Sequence, residues 1–138
     1  MQAVLDPNVI ISALLSPEGA PARAMRAWIQ GGFELVVSPL LLQELRRTLA
    51  YPKLRRRIER QEADLVVEWL RNTATMAADP DDPPQIRSPD PDDDYLIALA
   101  EAQRAVLVSG DQHLLGLSER LPIFSPARFV NLLEEERN

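Results

Sequence analysis

Short, largely apolar runs of strand length, each followed by a stretch with helical spacing, constrain this chain more than any other feature. Residues 2–5 (Gln-Ala-Val-Leu) stop at Asp6-Pro7-Asn8, residues 33–38 (Phe-Glu-Leu-Val-Val-Ser) stop at Pro39, and residues 105–109 (Ala-Val-Leu-Val-Ser) stop at Gly110-Asp111. Runs that stay apolar instead of alternating suit strands covered on both faces. Residues 73–78 and 121–124 are weaker candidates of the same kind. Strand–helix alternation throughout predicts an α/β fold: three α/β/α layers around a central, mainly parallel sheet of four to five strands.

The intervening segments carry helix punctuation. Residues 9–15 predict a first helix, and residues 20–30 a second that ends at Gly31-Gly32, a C-terminal stop. Ser38-Pro39 is an N-cap followed by proline at the first helical position, so residues 40–50 continue as helix with Glu44 one turn in. Helices are also expected at 53–58, 62–72, 92–103, 112–118 and 127–136. Residues 79–91 hold five prolines and predict a surface loop. No internal repeat or second domain is visible, so residues 1–138 are expected to form one domain.

Composition bounds the function classes. A chain of 138 residues with 46% apolar residues can bury roughly two thirds of its unfolded surface. Cysteine is absent, which excludes disulfides, thiolate metal sites and a cysteine nucleophile. No apolar run approaches the ~18 residues of a membrane span and no signal peptide is visible, so a cytoplasmic protein is expected. The sole histidine, His113, excludes a two-histidine acid–base ribonuclease.

Net charge is −6, unevenly spread. Residues 46–60 contain Arg46, Arg47, Lys53, Arg55, Arg56, Arg57 and Arg60 against Glu59 alone. The second half is acidic, with Asp90, Asp92, Asp93 and Asp94 clustered ahead of the apolar run Leu96 to Ala100. Acids in a first helical turn complement the helix dipole, which accounts for one or two of them. Four clustered like charges repel, and a hard divalent cation with oxygen ligands would offset that repulsion. A basic patch beside an acidic pocket suits a metal-dependent enzyme acting on a polyanion; a solvated helix face is the plainer account of the basic run.

Parallel sheets bind ligands outside the carboxyl ends of their strands. Asp6 and Asp111 follow two predicted strands, and Glu44 and Asp94 lie in early turns of helices that begin at the same edge. Each has a plain structural reading alone, as turn, cap or surface charge. Together they put carboxylates from separate segments on one rim.

Four stretches carry a family resemblance: Val-Leu-Asp-Pro-Asn-Val-Ile, Ser-Pro-Leu-Leu-Leu-Gln-Glu-Leu, Asp-Pro-Asp-Asp-Asp-Tyr-Leu-Ile-Ala-Leu-Ala and Leu-Val-Ser-Gly-Asp-Gln-His-Leu-Leu. In order and spacing they resemble the motifs of PIN-domain ribonucleases, above all the VapC-type toxins of type II toxin–antitoxin pairs. The resemblance implies a PIN-like fold and a Mg²⁺- or Mn²⁺-dependent endoribonuclease. It also implies Asp6, Glu44, Asp94 and Asp111 as catalytic and metal residues, with Asn8 and Asp93 in support. Arg46, Arg47, Arg55 and Arg56 are the candidate RNA phosphate contacts. An RNA substrate, a small antitoxin and a homodimer are the partners implied, and no membrane.

Two departures stand out. Pro7 replaces the threonine usual between the first Asp and Asn, and His113 replaces the final acid of Gly-Asp-x-Asp. They keep a second reading open, a catalytically impaired PIN fold that binds RNA or protein. Other readings fit worse. Asp90, Asp92, Asp94 and Glu101 have the spacing of EF-hand acids, but Tyr95 stands where that turn needs glycine. A phosphoacceptor receiver domain needs an acidic pair after its first strand and a late-strand lysine, and the chain's one lysine is Lys53.

Overall fold

The computed structural model describes residues 1–137. Five parallel strands form the sheet: β1 (Gln2–Leu5), β2 (Glu34–Val37), β3 (Thr75–Met76), β4 (Val106–Val108) and β5 (Ile123–Phe124). Their spatial order is β3-β2-β1-β4-β5. Register pairs Ala3 with Leu35 on one side and with Val106 on the other. The sequence predicted four to five mainly parallel strands; there are five, all parallel.

Among the described residues, eight α-helices cover the sheet: α1 (Pro7–Leu15), α2 (Ala20–Ile29), α3 (Pro39–Leu49), α4 (Pro52–Arg55), α5 (Arg60–Thr73), α6 (Asp94–Gln103), α7 (Gln112–Leu115) and α8 (Pro126–Arg137). The expected elements at 53–58, 73–78 and 112–118 shrink to single turns or a two-residue strand. Helix α6 was expected from residue 92; instead a 3₁₀ turn, Pro91–Asp93, precedes a helix that begins at Asp94. Proline at the first position of that turn fits a short, tight start.

Parallel strands buried on both faces explain the apolar runs. Val4, Leu5, Leu35, Val36, Val37 and Val108 are fully enclosed. Helix α6 is buried over Leu96 to Ala100, five successive residues, because it packs against the sheet on a broad face. The core extends to Phe129 of α8, whose ring meets Phe33 edge-on at 5.0 Å. Two helix ends need a left-handed residue: Gly31 after α2 (φ +85°) and Arg104 after α6 (φ +53°). Only the first has the residue that adopts it without strain.

Strand order reverses at β1, which pairs with β2 on one side and with β4 on the other. A crevice opens at such a switch point, outside the strands' carboxyl ends. Asp6 and Asp111 sit at that edge, directly after β1 and one turn after β4.

Candidate metal centre

Asp6 is the buried member of the rim, 5% exposed. Its backbone N–H donates to the Val108 carbonyl at 2.9 Å, which fixes it at the β1–β4 junction. Its carboxylate caps α1: Oδ1 accepts the Asn8 N–H at 3.0 Å, and Oδ2 accepts the Ser109 hydroxyl at 2.8 Å. Pro7 occupies the first helical position, where an N–H would have no partner in the helix. The Pro7 departure therefore leaves the cap intact, and Ser109 supplies the hydroxyl.

Ser109 is fully buried and serves both acids. Its oxygen also accepts the Asp111 N–H at 3.0 Å. Asp111 in turn caps α7, accepting the His113 N–H at 2.7 Å. Sequence reading left Ser109 as the last residue of a strand. A hydroxyl directly before Gly-Asp at a strand end was the available signal.

Glu44 projects from α3 and is half-buried, with its carboxylate gripped by Arg47. Arg47 Nε and Nη2 donate to its two oxygens at 3.0 and 2.6 Å, a bidentate pair. Arg47 Nη1 also donates to the Tyr51 hydroxyl at 3.1 Å. The Glu44 charge still reaches Asp6 and Tyr95.

The two adjacent acids at the start of α6 part company. Asp94, the one expected on the rim, is occupied elsewhere: Oδ1 accepts the Ser88 N–H at 2.8 Å and Oδ2 lies 3.4 Å from Arg87 Nη1. Its side chain is 13% exposed and ties the proline-rich loop to the helix. Asp93, expected only in support, faces the other carboxylates. Burial, then the charges of Asp111, Asp6 and Asp90, push its carboxyl up to about 6, with His113 opposing. Asp93 Oδ2 is sealed from solvent with no hydrogen-bond partner. Successive residues at a helix start point in different directions, so one of two neighbouring acids meets the crevice.

Electrostatic strain pervades the rim. Burial raises the Asp6 carboxyl above its ordinary range, hydrogen bonds from Asn8 and Ser109 oppose this, and the charges of Asp111 and Glu44 add to it. Burial also raises the Tyr95 phenol, followed by the charges of Asp6, Glu44, Asp93 and Asp79. Its hydroxyl is enclosed without a partner, as is Asp79 Oδ1, while Asp79 Oδ2 accepts the Leu40 N–H at 2.9 Å. Sequence reading missed both Tyr95 and Asp79. Asp6, Asn8, Ser12, Gly110 and Asp111 line a cleft of about 380 Å³.

Asn8 stands at the mouth of that cleft, exposed, its N–H engaged with Asp6. Of the basic candidates, Arg46 and Arg56 are exposed and Arg47 is committed to Glu44. Arg55 is half-buried, with Nη1 enclosed and unpartnered.

Neighbouring charges that raise the proton affinity of Asp6 and Asp93, together with the unpartnered enclosed oxygen of Asp93, suit a divalent cation, since a positive charge there relieves both the repulsion and the missing partner. The oxygen-rich donor set fits Mg²⁺ or Mn²⁺.

Comparison with known proteins bears on the family and the fold. The PIN domain family model matches residues 2–113. An uncharacterised protein of Methanocaldococcus jannaschii is 26% identical over 145 residues, spanning 98% of this chain and 93% of that protein. A chain of the FitAcB crystal structure from Neisseria gonorrhoeae superposes with a TM-score of 0.59 at 19% identity, covering 91% of this chain and 98% of that one.

Proposed function

This chain belongs to the PIN domain family, whose members are typically nucleases, and from that premise we propose that it is a Mg²⁺- or Mn²⁺-dependent endoribonuclease. The observation that carries the proposal is the gathering of Asp6, Asp111 and Asp93 around the β1–β4 switch point, where the Asp111 charge raises the proton affinity of both Asp6 and Asp93. We assign the third metal-binding acid to Asp93 in place of Asp94, whose oxygens hold Ser88 and Arg87. Glu44 completes the set once Arg47 lets go.

Asp6, Asp93, Asp111 and Glu44 would hold the ion. It would supply charge for the scissile phosphate and an activated water for in-line attack. The chain's own groups do the rest. Ser109 and the Asn8 N–H keep the Asp6 carboxylate oriented. Tyr95 offers a neutral donor from within the acid rim, its proton retained by burial and the surrounding charges. Arg46, Arg55 and Arg56 are proposed to contact RNA phosphates, joined by Arg47 when freed from Glu44.

The toxin role, with a small antitoxin and a homodimer, belongs to the same proposal. It draws on the family and on an apolar surface: α5 exposes Leu65 and Trp69 one turn apart, and Trp69 packs at 5.1 Å on Trp28 of α2. Such a surface fits a protein partner. Among the described residues no helix is long and apolar enough to cross a membrane. The impaired-fold reading, kept open by Pro7 and His113, is the alternative to this proposal; the intact α1 cap shows only that Pro7 costs the helix start no hydrogen bond.

The test is cleavage of single-stranded and structured RNA with Mn²⁺, Mg²⁺ or chelator. Activity that needs the metal and drops about 100-fold or more in Asp6→Asn and in Asp93→Asn supports the reading. Cleavage that survives both substitutions sinks it.

A further inference from the structure

Among the described residues, two aromatic side chains are exposed, Tyr51 and Trp69, and they keep different company. Trp69 packs at 5.1 Å on Trp28. Tyr51, 46% exposed, lies outside the hydrophobic core and inside the basic run 46–60, where Glu59 is the one acid. Its backbone is held firmly. Pro52 keeps the residue before it extended, and the Tyr51 carbonyl accepts the Leu54 and Arg55 N–H groups at 3.0 and 2.9 Å. Arg47, one turn earlier, donates Nη1 to the Tyr51 hydroxyl at 3.1 Å, with its guanidinium carbon 5.9 Å from the ring centroid. The same guanidinium grips Glu44 of the acid rim. Tyr51 therefore stands two helical turns from Glu44, about 10 Å along the axis, with Arg47 joining the two.

We propose that Tyr51 is a stacking platform for one unpaired nucleobase of the RNA strand whose phosphates the neighbouring arginines hold. The inference deepens the nuclease reading and rests on it for the course of the strand past the acid rim. It adds a base subsite to a surface so far assigned only phosphate contacts. The chemistry follows from what Tyr51 has left to offer. Its hydroxyl is paired with Arg47, so its exposed area is chiefly ring. Every base presents a flat π face, and stacking on an aromatic ring beside cations that track the backbone needs no base-specific hydrogen bond. A protein partner fits Tyr51 less well. Leu65 and Trp69 offer adjoining apolar side chains for that purpose, whereas Tyr51 is flanked along the chain by Arg47, Lys53 and Arg55.

The probe is a short fluorescein-labelled single-stranded RNA, titrated at low salt with chelator present so that binding is read apart from cleavage. A base-free ribose-phosphate strand of equal length is the control. Tyr51→Leu should weaken RNA binding about tenfold or more, while Tyr51→Phe and Tyr51→Trp, which keep a ring, stay within about twofold of wild type. The base-free strand should bind wild type more weakly than RNA does, and Tyr51→Leu should leave its affinity unchanged. Three results overturn the platform: Tyr51→Leu binding RNA as tightly as wild type, wild type binding both strands equally, or Tyr51→Phe losing as much as Tyr51→Leu. The last would assign the effect to the hydroxyl and its hold on Arg47. If metal-dependent cleavage persists in any of these cases, the nuclease reading stands without the platform. A loss confined to base-bearing strands, in a protein that cuts no RNA with Mn²⁺ or Mg²⁺, upholds the platform and sinks the nuclease reading.

Discussion

At the scale of single residues, the division of labour between Asp93 and Asp94 matters most. Asp94 satisfies the Ser88 N–H from a side chain only 13% exposed. Truncation in Asp94→Ala should cost about 1–3 kcal/mol, because a partly buried donor is left unpaired. Denaturant unfolding checks this, and metal-dependent cleavage by the folded variant should persist. Asp93 gives the opposite signature. Its folded carboxyl sits at about 6 against an ordinary 3.8, so the folded state binds that proton more tightly than the unfolded chain. Its contribution to stability is therefore fully present below about pH 4 and lost as pH rises through about 6. Metal-free protein should lose stability over that window, and Asp93→Asn should flatten the slope. Equal slopes in the two proteins would count against the electrostatic coupling.

At the scale of elements, Ser109 is the joint between β4, α1 and α7. One buried hydroxyl donates to the Asp6 carboxylate that caps α1 and accepts the N–H of the Asp111 that caps α7. Ser109→Ala removes both bonds without changing the apolar packing around it. The expected cost is about 1–3 kcal/mol in thermal or chemical unfolding, since the Asp111 N–H and a buried carboxylate oxygen lose partners. Ser109→Thr keeps the hydroxyl and should recover part of that stability where the added methyl can be accommodated. Residues 53–58, 73–78 and 112–118 had plausible local patterns, but α4, β3 and α7 are short, although Ile58, Ala77 and Leu114 from these segments still reach the core.

At the scale of the whole molecule, charge is the organising quantity. The chain carries −6 overall, yet residues 46–60 are strongly basic. RNA should therefore bind weakly to metal-free protein and more tightly once divalent ions offset the acid rim. Replacing Arg46, Arg55 and Arg56 together with glutamine should weaken binding and reduce the steepness of its salt dependence, by about one unit for each arginine–phosphate pair broken. Fluorescence anisotropy across a salt series measures this. An unchanged slope would remove these arginines from the interface. Saturating Mn²⁺ should also raise the unfolding midpoint, because an ion held by several segments binds the folded chain and not the unfolded one.

Much of the architecture was legible from residues alone. Apolar runs at β1, β2 and β4 can lie only inside a covered sheet, and Ser38-Pro39 marks a helix start because proline at the first helical position forfeits no hydrogen bond; the first helix, expected from residue 9, begins at Pro7 by the same rule. Asp6 and Asp111 were legible for the same reason: a polar residue ending a buried strand must emerge at the sheet's carboxyl edge. Side-chain direction was not legible. Asp93 and Asp94 are neighbours of one type, and which of them faces Asp6 depends on the 3₁₀ turn that sets the phase of α6. The double duty of Ser109, the Arg47 grip on Glu44 and the approach of Asp90 to His113 each join residues brought together by folding or by helix phase. Local pattern specifies what a segment buries. Only the packed sheet and helices decide which polar atoms meet across it, because that depends on rotations about helix axes that no single segment encodes.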